Sequence, residues 1–160
     1  MSPLDPSITI DFSAAIKSLD EKLVSLRKAK TDRRINCYTL LEELKHNDRA
    51  CHMYLTFNVD LSEILPRLSR DIYDELGEAG VDLTTIKCKR IPKDDSLEGT
   101  LVSSWQRKLT VTLIRNTYDK ITEIIEFYPV APKGKINPKL RMRYIKQKLE
   151  LLIKTIDCDK

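Results

Sequence analysis

Apolar residues near the start of the chain recur three and four apart: Phe12, Ile16, Leu19, Leu23 and Leu26, with Lys17, Asp20, Glu21, Lys22 and Arg27 on the other side. That spacing predicts an amphipathic helix, capped by Asp11 or Ser13. The basic stretch from Lys28 to Arg34 reads as a connection to a second periodic segment, in which Ile35, Tyr38, Leu41 and Leu44 share one face that ends near His46-Asn47-Asp48. Together these segments predict an antiparallel helical hairpin over residues 11–47, behind a flexible lead at 1–10.

From Ala50 the period changes. Cys51, Met53, Leu55, Phe57 and Val59 alternate with His52, Tyr54, Thr56 and Asn58, which predicts a strand. Leu61, Leu65, Leu68, Ile72 and Leu76 return to helical spacing, with Asp60 and Glu63 placed as a capping box and Gly77 or Gly80 as the stop. Pro66 implies a late start or a kink in that helix. Val81 to Ile91 reads as a second strand and 92–96 as a loop. Leu109, Val111 and Leu113, then Ile121, Ile125 and Phe127, predict a β-hairpin turning over Arg115 to Lys120. Asn137-Pro138 opens a last helix in the N-cap and N1 positions.

The resulting order, α-α-β-α-β-β-β-α, predicts an α+β fold: a helical hairpin, then a mostly antiparallel sheet of about four strands packed with an internal and a C-terminal helix. The expected organisation is a single domain over 1–160, with an α+β core at 50–156 and the hairpin able to stand as a subdomain.

Charge sharpens this picture. The first 80 residues carry 11 basic and 14 acidic groups, the last 80 carry 17 and 10, so the basic surplus lies wholly in the second half. Lys133, Lys135, Lys139, Arg141, Arg143, Lys146 and Lys148 form a run without an acidic residue, the candidate contact for an anionic partner. Arg141 and Arg143 have the geometry for bidentate phosphate contacts and Tyr144 offers a stacking surface. Arg27, Lys28, Lys30, Arg33 and Arg34 form a secondary cluster. The alternative for both is a solvated helix face. In the last helix, Met142, Ile145, Leu149, Leu152 and Ile156 make one apolar stripe, while Leu140, Tyr144 and Leu151 make a partial second one. A helix apolar on two sides covers two things, so the second stripe is a candidate protein contact or self-association surface.

Catalytic signatures are missing. With four glycines there is no phosphate loop or dinucleotide fingerprint, and no nucleophile elbow or H-E-x-x-H occurs. Gly77-x-x-Gly80 matches a nucleic-acid clamp in letters only, and Asp94-Asp95 reads as a turn. Cys37, Cys51, Cys88 and Cys158 lack paired spacing and are expected as free thiols; Cys37, His46, Cys51 and His52 do not make a zinc set, because structural zinc ligands come in closely spaced pairs on turns. Met1 to Ile10 lacks the basic and apolar regions of a signal peptide, and no membrane span is evident, so an intracellular, soluble location is expected: cytoplasm, nucleus or virion interior. The leading expectation is a non-enzymatic binding or assembly protein, without metal, cofactor or small-molecule substrate. Its basic C-terminal segment would contact nucleic acid or nucleoprotein, and its helices other proteins. The alternatives are a protein–protein adaptor, self-associating through the last helix, and a peripheral binder of anionic membrane.

Overall fold

The computed structural model describes residues 6–86 and 89–159, with side chains from residue 13 onward. Its elements are α1 (Pro6–Phe57), α2 (Leu61–Ile64), α3 (Asp71–Glu78), α4 (Thr110–Phe127) and α5 (Pro138–Thr155), joined by loops with short 3₁₀ turns. The α+β expectation is wrong: the fold is helical, and among the described residues the only β pairing is one isolated antiparallel bridge between Arg90 and Leu109. No helix among them is long and apolar enough to cross a membrane.

The expected helical hairpin is a single helix. The segment read as its loop, Lys28 to Arg34, is polar but contains neither glycine nor proline, and its Lys, Ala and Arg residues favour helix. Thr31 donates its hydroxyl back to the Arg27 carbonyl at 3.0 Å, which satisfies it without leaving the helix. The expected strand at 51–59 is the end of the same helix, which stops at Asn58 in the left-handed conformation (φ 52°). Here Cys37, Leu40, Leu44, Asn47, Cys51 and Tyr54 are buried at alternating steps of three and four. Asn47 breaks the apolar run, and the period-two pattern beyond it is accidental.

The chain divides into two compact units, residues 1–35 and 36–160. In the first, α1 already includes residues 6–10 of the expected lead; 1–5, the side chain of Phe12 and the capping role of Asp11 lie outside the described residues. The side chains from Ser13 to Lys28 are exposed. The second unit holds the core, built from the buried positions of α1 with Leu113, Ile114, Tyr118, Ile121 and Ile124 of α4 and Met142, Ile145, Leu149 and Leu152 of α5.

The expected β-hairpin at 109–130 is α4. Its threonines and isoleucines favour strands locally, yet Thr110, Ile114, Thr117, Ile121 and Ile124 are buried at helical spacing, and burial of that face outweighs propensities of a few tenths of a kcal/mol per residue. Thr117 donates to the Leu113 carbonyl (2.7 Å) and Thr122 to that of Tyr118 (2.9 Å). The expected strand at 81–91 is a loop with a 3₁₀ turn, Leu83–Thr85, started by Asp82, whose carboxylate accepts from Thr84 N at 2.9 Å. Residues 87 and 88 of that span, Cys88 included, lie outside the described residues.

Free thiols were expected, but Cys37 and Cys158 form a disulfide across 121 residues, their Cα atoms 5.6 Å apart. Only packing of the C-terminal tail against α1 brings them together, so spacing in the sequence could not show it. The expectation of free thiols fails for this pair. Cys51 remains a free, buried thiol, pushed up to about 12 chiefly by burial.

The helix expected over 61–76 splits at Pro66, which sits in a 3₁₀ turn (Leu65–Arg67); α3 begins at Asp71, ends at Glu78 and is closed off by Gly80 (φ 70°), with Val81 N donating to Leu76 O at 2.9 Å. The break is held by α1. The buried Glu43 carboxylate accepts from Ser69 Oγ (2.9 Å), Ile72 N (2.8 Å), Tyr73 N (3.1 Å) and Tyr118 OH (2.8 Å). Asn47 accepts from Ser69 N and donates to Ser69 O, both at 2.7 Å. Glu43 thus caps α3 from another helix and ties it to α4, where Tyr73 stacks on Tyr118 with ring centres 4.2 Å apart. Replacing Glu43 by Ala leaves four donors without an acceptor; we expect a loss of about 3–5 kcal/mol of stability in chemical denaturation, against under about 1 kcal/mol for the neighbouring exposed Glu42→Ala.

Candidate functional site

The acid-free basic run does not form one surface. Asn137 accepts from Leu140 N at 3.1 Å and starts α5, and the helix then distributes the cations by their angular position. Lys133, Lys135, Lys139 and Arg143 are exposed, and among the described residues they form no ion pair. Arg141 reaches Glu123 of α4 at 3.1 Å, and Lys120 binds the same carboxylate at 3.1 Å. Lys146 lies between Asp48 (3.0 Å) and Glu150 (2.7 Å), half-buried. Lys148 is wholly buried.

Lys148 is the unexpected residue of the set. Its ammonium lies 3.8 Å from the centre of the Tyr144 ring and 5.6 Å from that of Trp105, and it donates to Asn116 Oδ1. Burial, with the nearby Lys120 charge, pulls it down to about 8. The sequence carried a signal for this position: Lys148 lies three residues after Ile145 and four before Leu152, inside the apolar stripe. Glu43 and Asn47, three after Leu40 and Leu44, were missed in the same way.

The three candidate contact residues on α5 separate as well. Leu151 is part of the core and is closed to a partner. Tyr144 is half-buried over Lys148 and accepts from Trp105 Nε1 at 3.4 Å. Leu140 is exposed and, with Leu101, Lys120, Arg141, Tyr144 and Ile145, lines a cleft of about 400 Å³. Its floor is apolar, but both cations on its rim are already held by Glu123, which leaves little net charge for an anion.

The secondary cluster, Arg27, Lys28, Lys30, Arg33 and Arg34, is exposed along α1. It shares that stretch with exposed Ile16, Leu19, Leu23, Val24 and Leu26, of which Leu19 and Leu26 are 60% and 63% exposed. Among the described residues no three His, Cys, Asp or Glu side chains gather at a metal-binding distance. His46 Nε2 lies 2.6 Å from the Arg67 carbonyl, and Asp94 caps a turn at Ser96 and is drawn down to about 2 by Lys154 and Ser96. Comparison with protein families, curated proteins and solved structures finds no match to this chain.

Lys148 generates a prediction with a definite sign. Its folded value lies below that of an unfolded lysine, so the unfolded chain holds the extra proton between about pH 8 and 10.5, and this side chain adds stability as pH rises through that window. Below about pH 8 its burial as a cation is a constant cost. Lys148→Met should therefore flatten the pH dependence of stability between pH 7.5 and 9.5, measured by urea denaturation, relative to the parent chain.

Proposed function

We propose that the protein is a non-enzymatic binding and assembly module that works mainly through the N-terminal part of α1. The observation that carries this reading is the exposed series Ile16, Leu19, Leu23 and Leu26 at steps of three and four. That is the spacing of a coiled-coil seam, with two apolar positions in every seven. Aliphatic side chains repeated along one helix in this way gain roughly 1.5–3 kcal/mol each when fully covered, and a helix from another chain covers them with knobs in holes. The second unit supports the reading differently: its buried and half-buried polar side chains Glu43, Asn47, Lys146 and Lys148 are all engaged in holding helices together.

The test uses the full chain and a fluorescent three-heptad peptide with Leu at both seam positions and uncharged flanks, kept below its own dimerisation concentration. Binding should be measurable by anisotropy and should fall at least about tenfold in a Leu19→Glu, Leu23→Glu variant whose thermal midpoint is unchanged. No binding by the parent chain would sink the reading.

A second reading, contact with nucleic acid, is favoured by the four exposed cations Lys133, Lys135, Lys139 and Arg143. Arg141, Lys146 and Lys148 take no part in it, because they are engaged internally. Titration into labelled single- and double-stranded nucleic acid should show affinity falling steeply with salt and weakened by alanine at the four exposed positions. Indifference to those four substitutions would remove nucleic acid from consideration.

A further inference from the structure

From the charges that accompany the exposed seam we infer its occupant: an acidic amphipathic helix of a different protein, and not a second copy of this chain. The inference rests on the reading of α1 as a docking helix and adds the chemistry of the partner.

If Ile16 and Leu23 are assigned to seam position a and Leu19 and Leu26 to position d, the next two seam positions are Lys30 and Arg33. The flanking positions, e and g, include Lys22 and Arg27 against the single acid Asp20. All of these side chains are exposed. From residue 13 to 35 there are seven basic and three acidic residues, a net charge of +4 on a segment that supplies its own apolar stripe.

Pairing with an identical helix brings like charges together in either direction. In parallel, Lys22 faces Arg27 of the other copy, and Lys30 and Arg33 each meet themselves in the seam. In the antiparallel register that pairs all four aliphatics, Ile16 with Leu26 and Leu19 with Leu23, Asp20 meets Asp20 and Lys22 meets Lys22. Flanking charges set partner choice and orientation in coiled coils, and juxtaposed like charges are the usual device against the wrong partner. A partner with Leu or Ile in its seam and Glu or Asp beside it meets Lys22 and Arg27 with opposite charge. Acidic side chains next to its seam also answer Lys30 and Arg33, because long cationic side chains in a seam lay their alkyl stems along apolar surface and turn their charged heads outward. The same stripe is a poor fit to an anionic membrane: it is narrow, has no aromatic residue from 13 to 35, and Asp20 and Glu21 sit beside it.

The experiment compares two three-heptad peptides, identical at the seam, with Glu or Lys at every flanking position, each self-repelling and monomeric. We expect the full chain to bind the Glu peptide at least about tenfold more tightly than the Lys peptide near 0.15 M salt, with the preference shrinking at 1 M. A Lys22→Glu, Arg27→Glu variant should reverse the preference, and light scattering on the chain alone should report a monomer. Equal binding of both peptides would overturn the acidic-partner inference and leave the docking helix standing. A dimer that Leu19→Glu, Leu23→Glu dissolves would assign the seam to a second copy, and sedimentation with anionic vesicles would assign it to a membrane; either overturns the inference. Failure of both charged peptides and the uncharged one would bring down the docking reading itself.

Discussion

The second unit depends on one buried carboxylate. Glu43 accepts from the backbone at the start of α3, from Ser69 and from the phenol of Tyr118, so a single side chain of α1 fixes the start of one helix and the side chain of another. A charge taken out of water is tolerable only when its lone pairs are filled, and four donors fill them. The cost of leaving any donor unpaired gives this contact direction as well as strength: α3 can begin only where Ile72 and Tyr73 present their N–H groups. Beside it, Asn47 and Ser69 exchange two further hydrogen bonds. The break around Pro66, which removes helical hydrogen bonding, is thereby closed from the opposite helix instead of by water.

The same constraint governs the cations. Lysines and arginines close together in sequence end in different environments: Lys148 under the aromatic rings of Trp105 and Tyr144, Lys146 between two carboxylates, Arg141 on Glu123, and Arg143 in water. Their adjacency made them look like one patch, but an α-helix turns each residue by about 100°, so neighbours in sequence face different partners. What is left exposed shifts attention to α1, where cations and aliphatic residues share one exposed stretch.

Legibility varied from element to element. The helix from Pro138 to Thr155 was readable from Asn137, Pro138 and its apolar stripe, because cap chemistry and periodicity are both local. The segment around Pro66 was half-readable: proline announced the disturbance, and only the distant Glu43 explains its outcome. The sheet was misread because Thr, Val and Ile in α4 carry strand propensity, and short apolar windows fit periods of 2 and 3.6 alike. The break expected at Lys28 to Arg34 was misread from polarity, which does not end a helix without a breaker residue.

By itself, then, the sequence determined the local features: the cap and run of the last helix, the apolar spacing from Ile16 to Leu26, the basic balance of the second half and the lack of recognised catalytic motifs. The tertiary structure decided everything that joins distant positions. It chose helix over strand for α4, paired Cys37 with Cys158, gave Glu43 its donors and enclosed Lys148. The physical reason is the same in each case. Propensity and periodicity act over a few residues and a few tenths of a kcal/mol, whereas burial and the satisfaction of buried polar groups act through space and are several-fold larger.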